Sequence, residues 1–306
     1  MNPALPIGMH VFERGWLSSN NVLIMGEENT ALIDSGYCTH SEQTVALVHS
    51  VLGDRPLDLL INTHLHSDHC GGNAALQEHY PALQTRIPPG NADEVKCWDE
   101  DALTYKTTGQ QCPKFVFEGL LTPGETLSLG GCFWQIHAAA GHDPHSILLF
   151  EPHSRVLISA DALWQEGFGV VFPELEGVSA FPEVGATLDL IETLEPKVVI
   201  PGHGRPFSDY RKSLRIARSR LNYFIDHPAK HQQYAAKVLI KFKLLELQSC
   251  TFEYLLNWVA TTPYMELLRQ EQYPQLDTLG MVESLVGDLV RSGAVKRDSD
   301  QIRNGS

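Results

Sequence analysis

Three histidines and an aspartate fall within six residues of one another, directly after a short apolar run. Leu59-Leu60-Ile61 leads through Asn62 into Thr63-His64-Leu65-His66-Ser67-Asp68-His69-Cys70-Gly71-Gly72. Imidazole and carboxylate are the donors that zinc and similar divalent metals prefer. The spacing suits that task. His64 and His66 are two apart, so in an extended stretch they point to the same side. Asp68 and His69 follow just past the strand end, where a turn can aim them at a neighbouring point, and Gly71-Gly72 lets backbone pass close by.

The surroundings read as a mixed α/β chain. Short β runs broken by turn residues cover residues 8–36, a helix follows over 41–52, and 57–61 is a buried strand. Further strands are expected at 132–138, 146–150, 156–159 and 198–200, with a helix over about 183–194. Strands that first meander and then alternate with helices predict a layered domain, not a purely parallel sheet. From Tyr210 onward the pattern is helical, closing on a short β wing at Ala294–Arg297. Charge changes sign near the same point. Residues 1–210 hold 9 Lys and Arg against 27 Asp and Glu, a balance of −18, whereas residues 211–306 sum to +4. Two domains are therefore expected, 1–210 and 211–306. The acidic part argues against nucleic acid as a partner, because phosphate binding rests on Lys and Arg. No apolar run is long enough to span a membrane. The start Met1-Asn2-Pro3-Ala4-Leu5-Pro6 predicts no signal peptide. Six cysteines without Cys-x-x-Cys spacing predict free thiols and a cytoplasmic setting.

Three later stretches extend the histidine motif. They are Gly141-His142-Asp143-Pro144-His145-Ser146, Val156-Leu157-Ile158-Ser159-Ala160-Asp161 and Val198-Val199-Ile200-Pro201-Gly202-His203-Gly204. With these, residues 8–207 resemble the metallo-β-lactamase superfamily, whose fold is a four-layer αββα sandwich. The end of the chain is similar to members with a helical, winged-helix-like C-terminal domain. The resemblance implies one metal on His64, His66 and His142, a second on Asp68, His69 and His203, and Asp161 bridging the two. Three neutral imidazoles leave a position open for water, as a catalytic site requires. His145 stands three residues after His142, where many relatives space two histidines by four, and it is expected to support a ligand instead of being one.

The implied activity is that of a di-zinc hydrolase, iron and manganese remaining open. A metal-bound hydroxide would attack an ester, thioester or lactone, with Asp68 and Asp161 as catalytic carboxylates. The expected substrate is a small, anionic molecule with an apolar part. Acyl-homoserine lactonases carry a tyrosine three residues after the bridging aspartate. Trp164 stands there in this sequence, and its indole N–H donates but does not accept. A nuclease or phosphodiesterase, or a single-iron sulfur dioxygenase, is the alternative within the family. Aromatic residues in 91–121 and 164–181 are candidates for the pocket wall. The run Asp99-Glu100-Asp101 reads as a solvated helix face. Arg211, Arg215 and Arg218 share one face of a predicted helix. They either pair with the acidic domain or hold an anionic group of the substrate.

Overall fold

Alternation along the strands builds two apolar layers at once. The computed structural model describes residues 5–305, so the Met1–Ala4 start, part of the stretch read as lacking a signal, lies outside the described residues. The chain forms two compact units. The first takes the described residues up to Leu103 together with Cys112–Tyr223, and the second takes Thr104–Gln111 together with the described residues from Phe224 onward.

In the first unit, β1 (Met9–Phe12), β2 (Asn21–Met25), β3 (Thr30–Ile33), β4 (Leu59–Ile61), β5 (Gln84–Ile87) and β6 (Gly119–Leu120) lie side by side in chain order. The first three are antiparallel, and β3 to β6 run parallel. A second sheet has the order β11 (Val198–Pro201), β10 (Val156–Ala160), β9 (Ile147–Glu151), β8 (Cys132–Ala138), β7 (Thr126–Leu129), with only β10 and β11 parallel. On β2, Val22 and Ile24 face a core shared with Trp134, Ile136, Leu149, Ile158 and Ile200 of the second sheet. Leu23 points the other way. It joins Leu32 and Leu60 beneath α1 (Ser41–Leu52) and α3 (Asn73–His79), which supply Val48, Leu52 and Leu76. Each such side chain, fully buried, contributes about 1.5–3 kcal/mol. The one-turn α2 (Ser67–Cys70) falls within the histidine run, and α4 (Ala92–Cys97) and α5 (Tyr105–Thr108) follow β5. Before β11 comes α6 (Phe181–Leu194), burying Phe181, Val184, Leu188 and Ile191. The result is the four-layer αββα sandwich, with a helical C-terminal region.

After β11, α7 (Tyr210–Asp226) crosses from the first unit into the second. The second unit adds α8 (Pro228–Leu247), α9 (Phe252–Thr261), α10 (Pro263–Gln272) and α11 (Thr278–Arg291). The Asp277 carboxylate caps α11 by accepting from Gly280 N–H at 2.8 Å. The wing is a hairpin of β13 (Val295–Asp298) and β14 (Gln301–Asn304), extended to three strands by β12 (Ser249–Thr251) on β14. Asp99-Glu100-Asp101 is not a helix face, because α4 ends at Cys97 with Trp98 in the left-handed region. The run forms a turn in which the Asp99 carboxylate accepts from the N–H groups of Asp101 and Ala102.

Candidate metal centre

The site sits where strands of both sheets end. β4 stops at Ile61, and the chain turns through Thr63 and His64 into α2, which carries Asp68 and His69. A Cβ on Gly71 would lie 2.5 Å from Ser67 O and 2.6 Å from Cys38 N, so only glycine admits this close return. β10 bulges between Ile158 and Ala160, and Ala160 adopts a φ of 45°, which turns Asp161 out of the strand. The loop after β8 brings His142, and the loop after β11 brings His203.

These residues converge in two groups, His64 with His66 and His142, and Asp68 with His69, Asp161 and His203. Within each group the potential ligand atoms lie within 4.8 Å of one another. Asp161 lies between the groups. Its Oδ2 is 3.4 Å from His142 Nε2, while its Oδ1 is 3.4 Å from His69 Nε2 and 3.9 Å from His203 Nε2. Every ligand residue expected from the sequence is thus brought together. His145 is exposed, its ring against Gly90, and it reaches neither group.

Hydrogen bonds on the outer nitrogens fix which atoms face inward. His142 Nδ1–H donates to Val170 O at 2.5 Å. Thr63 Oγ1 donates to Asp34 and accepts from His64 Nδ1–H at 3.2 Å. Both rings therefore aim a lone pair from Nε2 at His66 Nδ1, at 2.8 and 3.0 Å. Nitrogen lone pairs crowded this way suit a shared cation. In the other group, His69 Nδ1–H donates to Asp34 at 2.8 Å, and its buried Nε2 has no hydrogen-bond partner. An orphaned buried acceptor beside Asp161 is the atom a cation would satisfy. A Cβ on Gly202 would lie 2.1 Å from Asp161 Oδ1, so glycine leaves that place open. The residues fit a pair of metal ions.

Electrostatics divides the groups further. Burial pushes His64 well below its ordinary value and brings His66 and His142 down to about 4. These three rings are neutral donors at pH 7. In the second group burial is outweighed. Asp34, Asp161 and Asp68 hold His69 well above its usual value, and Asp161 and Asp68 raise His203. Burial also opposes ionisation of Asp161 and Asp68, yet His203 and His69 keep both carboxyls below the usual range. The second group is rich in anions that need a positive partner, which a metal provides in place of protons.

Aromatic rings line the approach. Trp16 stacks on His203 with centroids 5.4 Å apart, and Trp164 meets Trp16 edge-on at 5.2 Å. Trp164 Nε1–H donates to Asp161 Oδ1 at 3.1 Å. Phe172 packs against His66 at 4.9 Å. Of the two stretches expected to wall the pocket, residues 164–181 supply Trp164 and Phe172. In the other, Trp98 and Phe115 pack on each other, and Tyr105 is buried in the second unit. The sequence reading missed Asp34 and Trp16. Asp34 closes the apolar strand β3 as Asp161 closes β10, which was an available signal; Trp16 had none.

The sequence profile of the metallo-beta-lactamase superfamily matches residues 14–203, a span that includes every residue of the two groups. The chain belongs to the metallo-beta-lactamase superfamily. It is a hydrolase of that superfamily by kinship. It is 25% identical over 191 residues to the hydroxyacylglutathione hydrolase GloC of Haemophilus influenzae, covering 58% of this chain and 81% of the relative. It is 25% identical over 240 residues to the acyl-coenzyme A thioesterase MBLAC2 of Gallus gallus, covering 71% of this chain and 84% of the relative. A metallo-beta-lactamase family protein from Thermus thermophilus superposes with a TM-score of 0.56 at 17% identity, over 98% of this chain and all of that one. A second solved structure, that of TTHA1623 in a di-iron-bound form, gives a TM-score of 0.54 at 24% identity, over 68% of this chain and 98% of that one.

Proposed function

We propose that this protein is a two-metal hydrolase, working with zinc, that cleaves thioesters of small anionic carriers. The observation that carries the reading is Asp161, one oxygen facing His142 and the other facing His69 and His203. His64, His66 and His142 would hold one ion, Asp68, His69 and His203 the other, and Asp161 both. A bound pair of divalent ions supplies Lewis acidity toward an acyl carbonyl and lowers the pKa of water. The chain's own groups do the rest. Asp68, its Oδ2 3.1 Å from His203 Nε2, stays ionised and would orient a water at the centre. Trp164 N–H fixes the rotamer of Asp161. Trp16, Phe172 and Trp164 offer apolar surface to the acyl part. Catalysis belongs in this reading to residues 1–210, with 211–306 as an accessory domain.

The relatives named above act, by their names, on acyl groups carried by glutathione or coenzyme A. Both carriers are anionic thiols, and their esters are small molecules of the cytoplasm. Trp164 in place of a tyrosine weighs against lactones. The −18 balance of residues 1–210 weighs against nucleic acid. A four-residue second group weighs against a single iron. Among the described residues no helix is long and apolar enough to cross a membrane.

Metal analysis of protein purified without added metal, paired with a thiol-release assay on acyl-coenzyme A and S-acylglutathione, tests the reading. About two zinc per chain and turnover of a thioester are expected. A single iron, or hydrolysis of phosphodiesters alone, would overturn it. Asp161→Ala should lose metal and turnover together. Full occupancy with unchanged kcat in that variant would refute the shared-carboxylate assignment.

A further inference from the structure

Between β1 and β2 the chain has no regular structure, yet residues 14–20 are bonded to α2 and to the loop after β11, which carry Asp68, His69 and His203 of the second group. Ser19 N–H donates to Asp68 O at 2.9 Å, and Asn20 N–H donates to Gly202 O at 2.6 Å. Asn20 is 3% exposed, and its side chain spends both amide donors on the loop that carries His203. Its Nδ2 donates to Pro201 O at 2.9 Å and to Gly204 O at 2.7 Å, on either side of His203. Its Oδ1 accepts from Arg14 N–H at 2.9 Å. Gly15 O accepts from His203 Nδ1–H at 3.4 Å, leaving Nε2 directed at Asp68, and Trp16 covers the ring face. The Arg14 guanidinium anchors the segment on Asn21 Oδ1 and Thr44 Oγ1. The first group has no share in this arrangement. The inner and outer ring nitrogens of His64 and His142 bond to Thr63, Val170 and His66 instead.

We propose that Asn20 is a positioning residue for the second metal. By gripping the carbonyls before and after His203, it fixes the backbone that aims that imidazole, and so sets how firmly the second ion is retained. The inference rests on the two-metal reading above. Loss of an ion-orienting contact typically costs 10–100-fold in affinity, and here the loss falls on one ion of the pair.

Asn20→Asp is nearly isosteric but removes both donors and sets a carboxylate against two carbonyl oxygens. Asn20→Ser keeps one donor. The first readout is zinc stoichiometry under chelator competition. Wild type is expected to hold two ions. Asn20→Asp should hold one firmly and release the other at roughly 10–100-fold lower chelator concentration, with Asn20→Ser between them. The second readout is hydrogen–deuterium exchange of metal-stripped protein, in which residues 201–204 should exchange faster in Asn20→Asp while residues 63–66 stay unchanged. Unchanged exchange at 201–204, or equal weakening of both ions, would overturn the proposal. A wild type without two ions would refute the two-metal reading instead, and the exchange result would still decide the role of Asn20.

Discussion

Asp161 has one oxygen with more claims on it than the other. Oδ1 faces His69 and His203 and also accepts the indole N–H of Trp164, whereas Oδ2 faces His142. The hydrogen bond from Trp164 selects one carboxylate rotamer and draws charge toward Oδ1. Trp164→Phe keeps an aromatic side chain but loses that donor, together with part of the indole's contact with Trp16 and His203. Steady-state kinetics should show kcat lower by about 10-fold with KM within roughly twofold and zinc content unchanged, in keeping with contacts that orient a ligand. A rise in KM alone would mean that the indole binds substrate instead. His145 gives the contrasting case. Its ring is exposed and touches neither ligand group, so His145→Ala should stay within about twofold of wild type, whereas His142→Ala should lose metal. The sequence placed His145 near the metal because it stands three residues from a ligand, but the turn at Asp143 carries it outward, with the Asp143 carboxylate accepting His145 N–H at 2.8 Å.

At the scale of elements, the turn joining β9 to β10 rests on one carboxylate. Glu151 accepts from His153 N–H at 2.9 Å and from both the N–H and hydroxyl of Ser154. Burial opposes its ionisation, but the Ser154 and His153 donors outweigh burial and hold it below its ordinary 4.5. A carboxylate depressed on folding stabilises the folded state above its ordinary pKa, and that contribution is lost as pH falls through the folded value. Glu151→Gln should therefore lower Tm at pH 7 by about 2–6 °C, for a loss of about 1–2 kcal/mol. The gap between variant and wild type should close below about pH 4.5. A gap independent of pH would assign the effect to packing. The basic helix α7 is a further element-scale outcome. Arg211 pairs with Glu195, and Arg218 with Asp189 and Glu192, so two of its arginines hold acidic residues of α6 and its C-cap. What was legible at this scale was whatever is local. An alternating run announced β8, short continuous apolar runs announced β9 to β11, and a strand ending in clustered histidines announced the centre. The segment 14–20 was not legible, because Asn20 and Gly15 act on residues 181 to 188 positions away, and nothing in Arg14-Gly15-Trp16 signals partners at that distance.

At the scale of the molecule, the ions and the fold are linked. Both ligand groups lie wholly within the first unit, drawn from loops of both sheets, so bound metal ties those loops together. An ion present at a thousand times its Kd stabilises the folded state by about 4 kcal/mol. Calorimetry with and without a chelator should show the transition of the first unit falling by several degrees while that of the second stays in place. Movement of both transitions by the same amount would count against confinement of the centre to one unit. The second unit has its own peculiarity of assembly. Thr104–Gln111 lies in the middle of the chain yet packs with the second unit, where α5 meets α10 and Gln111 Nε2 donates to Glu246 at 3.0 Å. Glu246 is itself paired with a buried Lys243 at 2.6 Å. On the ribosome, these eight residues leave the exit tunnel well before the partners that begin at Phe224 exist. At about 5–20 residues per second, the wait lasts roughly 6–20 s. Through that interval Tyr105 stays without its burial site. Tyr105, made in the first half of the chain, thus gains its buried setting only after the C-terminal helices have been synthesised.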